Sequence, residues 1–95
     1  MRYEIILSPE AVQDLKRLKG LVLASVQDAI ARHLRDAPAK VSKSRIKRLR
    51  GISHPQYRLR VDEIRVFYDI TNSIVEILAI IPKSQANSWL DAMEE

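Results

Sequence analysis

Residues 57–69, YRLRVDEIRVFYD, form the stretch that most restricts how this chain can fold. Two runs of alternating side chains flank Asp62 and Glu63, so the pattern predicts a β-hairpin whose two-residue turn is this acidic pair. In that register Val61 lies opposite Ile64, and the alternation places on one face the apolar or aromatic side chains of Tyr57, Leu59, Val61, Ile64, Val66, Tyr68 and Ile70. One face of the hairpin is then wholly apolar, and other elements must cover it in a small globular protein.

The other face of the hairpin collects cationic side chains. Arg60 is expected to lie opposite Arg65, and Arg58 opposite Phe67. Like charges directly across two strands destabilise a hairpin by roughly 0.2–1 kcal/mol per pair, and a bound anion reverses that sign. Arginine suits an anion site because its planar guanidinium binds phosphate oxygens through paired hydrogen bonds and stays charged. The pattern therefore indicates a phosphate site on an outward-facing surface.

The rest of the chain predicts a small α+β domain. Four further segments have strand or helix patterns: residues 1–7 as a strand, 8–20 and 21–36 as helices, and 74–82 as a central strand. A short helix capped by Ser84 is expected to follow, and the segment RIKRL at 45–49 is a candidate to join the sheet. The order predicts one domain over residues 1–95. In it a small antiparallel sheet with an N-terminal strand carries a two-helix hairpin on one face and ends in a short C-terminal helix.

Composition argues against several classes of protein. The 95 residues are 46% hydrophobic with only two glycines and four prolines, which is typical of a globular chain rather than a disordered one. No apolar run approaches the roughly 20 residues of a membrane helix. An acidic residue, Glu4, stands where a signal peptide has positive charge, so a cytoplasmic protein is expected. With no cysteine and two isolated histidines, neither a metal nor another cofactor is predicted.

The net charge of +4 conceals a strongly basic stretch. Between residues 37 and 61 the chain has eight basic residues and no acidic one: Lys40, Lys43, Arg45, Lys47, Arg48, Arg50, Arg58 and Arg60. Such a stretch is either a solvated surface or a binding surface for a polyanion, where phosphates displace counterions and binding depends on salt. On the second interpretation, Lys47, Arg48 and Arg50 are candidate substrate-binding residues.

Three segments together resemble a known family. YRLRVDEIRVFYDI, preceded by IKRLRG and followed by VEILAIIPK, resembles the RelE branch of the RelE/ParE toxin superfamily, and the preceding helix pair is similar in order. RelE-like proteins are ribosome-dependent endoribonucleases that cut messenger RNA in the ribosomal A site. The resemblance implies a type II toxin that inhibits translation. Its partners would be the ribosome, messenger RNA and a RelB-like antitoxin that is acidic where it meets the toxin, with no membrane involved.

The resemblance also implies catalytic roles for four basic residues. Arg58 and Arg60 fall where the family has catalytic basic residues, and Arg65 falls on an arginine that contacts the scissile phosphate. Lys83 lies near a basic residue that follows the last strand. Some members have lysines where this chain has Arg58 and Arg60, and a lysine crowded by cations can lose its proton, whereas arginine cannot.

Five further residues have open roles in the sequence. The general base is left open among Lys83, Glu63 and Asp69, and His54 is interpreted as a loop residue. Trp89 falls near a tyrosine that stacks on a base in some members, but it can equally anchor the terminal helix. Phe67 is a candidate to pack beneath an arginine or a base, with core packing as the alternative.

Two other functions stay open. A ParE-like inhibitor of DNA gyrase shares the fold, and fold alone does not determine function. A non-catalytic RNA-binding module would also account for the basic surface, and it would bind RNA in a salt-dependent manner without forming products.

Overall fold

A computed structural model describes residues 2–94, which form a five-stranded sheet with helices on both faces. The strands are β1 (Glu4–Leu7), β2 (Ile46–Arg48), β3 (Tyr57–Val61), β4 (Ile64–Thr71) and β5 (Ile74–Pro82). The helices are α1 (Pro9–Lys16), α2 (Gly20–Ala29) and α3 (Lys83–Met93), and a π-helical turn (Ile30–Leu34) continues α2. The predicted α+β layout is confirmed, and RIKRL does contribute the strand β2.

The strands lie in the order β1-β5-β4-β3-β2. All neighbouring strands are antiparallel except β1 and β5, which are parallel. The sheet is therefore mixed, whereas the sequence predicts an antiparallel sheet. Parallel strands need a long crossover, and here the two helices and β2 to β4 separate the pair along the chain. The hairpin of β3 and β4 therefore lies between β5 and the edge strand β2.

The register of the β3–β4 hairpin is the predicted one. Val61 pairs with Ile64, Arg60 with Arg65, and Arg58 with Phe67. Asp62 has a φ of 53°, a left-handed conformation that aspartate adopts more readily than most residues. The acidic pair at 62–63 thus forms the turn, and two arginines do lie side by side across it.

The first face of the sheet carries the main core under α1 and α2. Six hairpin side chains point into it: Tyr57, Leu59, Val61, Ile64, Val66 and Tyr68. Ser8 caps α1 as predicted, because its hydroxyl oxygen accepts the backbone N–H of Ala11 at 3.1 Å. The Tyr68 hydroxyl donates to the carbonyl oxygen of Pro38 at 2.7 Å, which fastens the loop after the helices to the centre of the sheet.

The second predicted helix differs from the observed one in two respects. The regular α-helix ends at Ala29, and a π-helical turn takes the place of the continuous α-helix expected as far as residue 36. Helical spacing with Val26 and Ile30 predicts that Val22 is buried, but Val22 is 48% exposed because the first turn of α2 extends beyond the core. Ile30 and Leu34, one at each end of the π-helical turn, are buried.

A β-bulge gives β5 apolar contacts on both faces. Phe67 pairs with Ala79 and Tyr68 with Ile77, so Leu78 is the extra residue on β5. The extra residue shifts the alternation, and Ile77 packs in the main core while Ala79 packs on the opposite face. This shift explains why the end of the strand reads as a continuous apolar run.

The second face of the sheet is partly covered by α3, so the expectation that the arginine face is fully open is wrong. Phe67, Ala79 and Ile81 form a small second core, against which Trp89 and Leu90 of α3 pack. The predicted cap is also wrong: α3 begins at Lys83 directly after β5, and no side chain caps it. The strand runs into the helix without a loop, which leaves Ser84 inside the first turn. None of the helices described within residues 2–94 has the length and apolar character needed to cross a bilayer.

Candidate functional site

A cleft of about 320 Å³ opens between the second face of the sheet and α3. Four cationic residues from four elements line it: Lys47 of β2, Arg58 of β3, Arg65 of β4 and Lys83 of α3. The other lining residues are Leu49, Phe67, Ala86, Asn87 and Leu90. Because none of these lining residues is acidic, the cleft favours an anionic ligand.

Arg65 is the most enclosed cation of the cleft. Its side chain emerges from the centre of the hairpin, and the residue is only 7% exposed. Nη1 donates to the backbone oxygens of Asp62 at 2.7 Å and Ile64 at 3.1 Å. Both bonds use one nitrogen of the planar fork, so the turn orients the guanidinium while its other nitrogens stay available to a ligand.

Arg58 has a buried donor without an acceptor. Among the described residues no group accepts a hydrogen bond from its Nε, and leaving a buried donor unpaired costs about 1–3 kcal/mol. Burial lowers the pKa of the Arg58 guanidinium, and the nearby charges of Arg65 and Arg60 lower it further. A phosphate bound in the cleft would offset the repulsion among these cations.

Arg60 and Lys83 are two further cations near the hairpin turn that orients Arg65. Arg60 pairs with Arg65 across the hairpin but is exposed and lies outside the cleft lining, so it belongs to the rim. The backbone N–H of Lys83 donates to the carbonyl oxygen of Glu63 at 2.7 Å. The start of α3 is thereby tied to the turn that also orients Arg65.

Phe67 and Trp89 form the packing contact between the sheet and α3. Their rings stack with centroids 5.0 Å apart and planes 18° apart, and Phe67 is 1% exposed. Trp89 therefore anchors α3 in this structure. Phe67 is covered by that ring, which favours the core-packing alternative for Phe67 over stacking on a base.

Two candidate residues of the basic stretch lie away from the cleft. Arg48 follows Lys47 on β2 and so lies on the opposite face of the sheet, where its guanidinium carbon is 5.1 Å from the centroid of the Tyr57 ring. Its Nη1 donates to the carbonyl oxygen of Gln56 at 3.0 Å. Arg50 is exposed beyond the end of β2 and does not line the cleft. The structure thus brings Lys47 to the catalytic candidates but not Arg48 or Arg50.

The Asp69 carboxylate holds the loop before the hairpin in place. Its carboxylate, in a residue 8% exposed, accepts the backbone N–H of Gln56 at 2.7 Å and contacts Nδ1 of His54 at 2.8 Å. The sequence interpretation missed this pair, although the alternation of β4 places Asp69 on the arginine face two residues after Phe67. Of the other general-base candidates, Glu63 lies exposed in the turn and Lys83 lines the cleft.

We expect Trp89→Ala to loosen α3 from the sheet without unfolding the main core. The change removes a stacked ring pair and its apolar contact, which together stabilise the docked helix by about 1–3 kcal/mol. Amide hydrogen exchange should show the largest loss of protection in α3 and little change in β4. Trp89→Phe keeps a stacking ring and serves as the control. An equal loss of protection in both elements would show instead that α3 and the main core unfold together.

Comparison with known proteins gives a family and a fold. The model of the family described as the ParE toxin of type II toxin–antitoxin systems, parDE, matches residues 5–87. Among solved structures, the toxin–antitoxin complex RelBE2 from Mycobacterium tuberculosis matches at 26% identity and a TM-score of 0.71, covering 86% of this chain and 99% of that one. The search of curated proteins gave no match.

Two further structures share the fold at lower identity. The RelB–RelE antitoxin–toxin complex from Methanococcus jannaschii matches at 18% identity and a TM-score of 0.69, covering 88% of this chain and 96% of that one. The RelE–RelB complex from Pyrococcus horikoshii matches at 22% identity and a TM-score of 0.71, covering 90% of this chain and 99% of that one.

Within residues 2–94, no group of three or more histidine or carboxylate side chains is arranged to hold a metal ion.

Proposed function

Since the chain belongs to the ParE toxin family of type II toxin–antitoxin systems, we propose that it is an endoribonuclease toxin that cleaves messenger RNA in the ribosomal A site. The observation that carries this proposal is the cleft itself. A buried Arg58 donor without a partner lies beside an oriented Arg65 guanidinium, and no carboxylate lines the space. A bound phosphodiester would accept hydrogen bonds from Arg65 and offset the positive charge of both arginines. The shared fold with RelE toxins supports the same assignment.

The proposed reaction is attack of a ribose 2′-hydroxyl on the adjacent phosphate. The new bond joins the 2′-oxygen to phosphorus, the bond to the 5′-oxygen breaks, and the products are a 2′,3′-cyclic phosphate and a free 5′-hydroxyl. Negative charge grows on the non-bridging oxygens in the transition state. Arg58 and Arg65 are positioned to donate hydrogen bonds to those oxygens, and such fixed donors accelerate reactions by about 10²–10³-fold each.

Proton transfer requires a group other than the arginines. A proton must leave the 2′-hydroxyl and another must reach the departing 5′-oxygen. Arginine holds its protons at every relevant pH, whereas lysine can exchange them. Of the two lysines that line the cleft, Lys83 lies on α3 next to the turn that orients Arg65, while Lys47 lies on the edge strand. We assign to Lys83 the donation of a proton to the departing 5′-oxygen, with water taking up the proton of the 2′-hydroxyl, and we assign phosphate binding to Lys47.

A cognate antitoxin is the expected protein partner. The family is defined by toxin–antitoxin pairs, and the similar structures from Mycobacterium tuberculosis and Methanococcus jannaschii are complexes of both proteins. The cationic cleft and the exposed Arg60 would suit an acidic segment of a RelB-like antitoxin. Such a segment would occupy the same donors as the RNA, so binding of the antitoxin and of the RNA would be mutually exclusive.

Inhibition of DNA gyrase is the second candidate, and the family match favours it because that family carries the ParE name. In that function the cationic surface would bind another protein or DNA, and no RNA product would form. A non-catalytic RNA-binding protein would likewise give no product. The three candidates therefore differ in what accumulates when the protein acts.

The test is to add the purified protein to translating ribosomes and to map new 5′ ends on the message. Cleavage within the A-site codon, dependent on translation, is the expected result. A parallel reaction contains DNA gyrase and supercoiled plasmid. Intact message together with accumulated gyrase–DNA cleavage complexes would reject the nuclease and establish the gyrase function. Salt-sensitive RNA binding with neither product would identify the protein as a non-catalytic RNA-binding module.

A further inference from the structure

A second cationic concavity lies on the other side of β2 from the cleft. It encloses about 300 Å³ between the π-helical turn, the loop that follows it and the start of β2. Its lining residues are Arg32, His33, Ala37, Lys40, Ser42, Arg45 and Ile46. None of them is acidic, and none of them lines the cleft.

We propose that this concavity, which we call the Arg32–Arg45 site, binds a backbone phosphate of RNA outside the proposed cleavage cleft. Arg32 and Arg45 supply planar forks that fit phosphate oxygens, and Lys40 adds a third cation. His33 can donate one ring N–H in its neutral form. The site would thus hold an RNA strand by charge and hydrogen bonds without reading its bases.

The Ser42 hydroxyl is set to donate into the site. Its oxygen accepts the backbone N–H groups of Arg45 at 3.1 Å and of Ile46 at 3.3 Å. Both acceptor positions of that oxygen are then in use, so the hydroxyl hydrogen is the part left to interact with a ligand. The same two bonds orient the chain from which the Arg45 side chain emerges.

The π-helical turn positions Arg32 and His33. Ile30 and Leu34 are buried at its two ends, so the residues between them are held at the margin of the core. Turns of this type are rare and are found frequently at functional sites. Arg32 also contacts Asp28 at 3.3 Å, but both side chains are exposed, and exposed ion pairs of this kind contribute little to stability. A phosphate can therefore compete for the Arg32 guanidinium.

The pKa of His33 reflects the charges that surround the site. Burial lowers the pKa of its imidazole, the charges of Arg45 and Arg32 lower it further, and only Asp28 acts in the opposite direction. The other charged groups near it are Lys40 in this concavity and Asp62 in the adjoining one. A bound anion would counteract the two arginines, so anion binding and protonation of His33 should reinforce each other.

The surroundings favour an RNA strand over an acidic protein segment. Lys47, which lines the cleft, is two residues after Arg45, or about 7 Å along the edge strand. The carbonyl oxygen of Arg45 also accepts the N–H of Arg60 at 2.8 Å, so the main chain of the second site is bonded directly to that of the cleft rim. The apolar lining consists of Ala37 and the buried Ile46, which leaves no pocket for the large apolar anchors that protein partners use. Asp28 and Asp62 line the adjoining concavity and direct a polyanion away from it.

The test uses the full-length chain, whose two histidines give only two sets of imidazole signals in an NMR titration. The first probe is sulfate, which does not titrate in this range, and the second is a 2′-O-methyl RNA, which lacks the attacking hydroxyl. Both probes should move the titration midpoint of His33 to higher pH, and His33→Gln assigns the signal. An unchanged His33 midpoint with both probes would overturn the proposal.

A second measurement follows the salt dependence of RNA affinity. Each phosphate contact to a single strand adds about 0.7 to the slope of log affinity against log salt, so losing the one phosphate held at this site in Arg32→Gln/Arg45→Gln should reduce that slope by about 0.7. Arg17→Gln/Lys19→Gln removes the same charge elsewhere and is the matched control. Equal slopes in the two variants would overturn the proposal, as would a His33 response to the antitoxin but not to RNA. Because the probe RNA cannot be cleaved, these outcomes do not depend on whether the cleft is a nuclease.

Discussion

Arg65→Ala is expected to lower cleavage of ribosome-bound messenger RNA by about 10²–10³-fold, the usual effect of removing one fixed donor to a charged transition state. Arg65 is suited to that role because it is 7% exposed and its guanidinium is oriented by the carbonyl oxygens of Asp62 and Ile64. The loss should appear in the rate at saturating ribosome concentration. Single-turnover mapping of 5′ ends is the measurement.

Two further substitutions separate the proposed chemistry from charge and stability. Arg65→Lys keeps the charge but loses the planar fork, so it should recover only a small part of the rate. Arg60→Ala removes the neighbouring, exposed cation and should lower the rate much less. The unfolding free energy of Arg65→Ala must be measured alongside, because Arg65 also fastens the turn. Cleavage by folded Arg65→Ala within a few-fold of the unsubstituted rate would contradict the assigned role.

Tyr68→Ala is expected to lower the free energy of unfolding by about 3–5 kcal/mol, a large share of the 5–15 kcal/mol typical of a domain. Tyr68 lies fully buried at the centre of the sheet, stacks on Tyr57 with ring centroids 5.6 Å apart and donates to Pro38. Its removal leaves a cavity and an unpaired carbonyl oxygen. Urea denaturation of Tyr68→Ala and of the unsubstituted protein measures the loss.

Tyr68→Phe separates the hydroxyl from the ring and should cost about 1–2 kcal/mol. Burial raises the pKa of the Tyr68 phenol far above its usual value, and the charge of Tyr57 adds to the shift. The folded state therefore keeps a proton that the unfolded chain loses near pH 10. The stability is fully present below that pH and falls as the pH rises above it. A phenylalanine at this position should remove that part of the alkaline decline, and an identical decline in both proteins would contradict this account.

The hairpin could be predicted from the sequence because its two signals agree. A two-residue turn sets the register, and the alternation of side chains then fixes which residues share a face. A one-residue slip would have turned the apolar side chains to solvent and the arginines into the core. Arg58 and Arg65 therefore had only one arrangement consistent with burial, and the structure shows it.

The second face of the sheet could not be predicted because its packing depends on a bulge and on distant parts of the chain. Leu78 shifts the alternation of β5, and strict period-two reasoning cannot detect one extra residue. Ala79 and Ile81 then point to the arginine side, where α3 covers them. Arg48 was misplaced for a simpler reason: adjacent residues on a strand lie on opposite faces, so a basic run cannot deliver all its charges to one cleft.

The like charges around Arg58 also link occupancy of the cleft to the stability of the folded chain. An empty cleft carries the repulsion between neighbouring cations, and a ligand that binds only the folded state stabilises it in proportion to the logarithm of its concentration. Free protein should thus unfold, and be degraded, faster than protein whose cleft is filled. The lifetime of this chain would then depend on whether its anion-binding donors are in use.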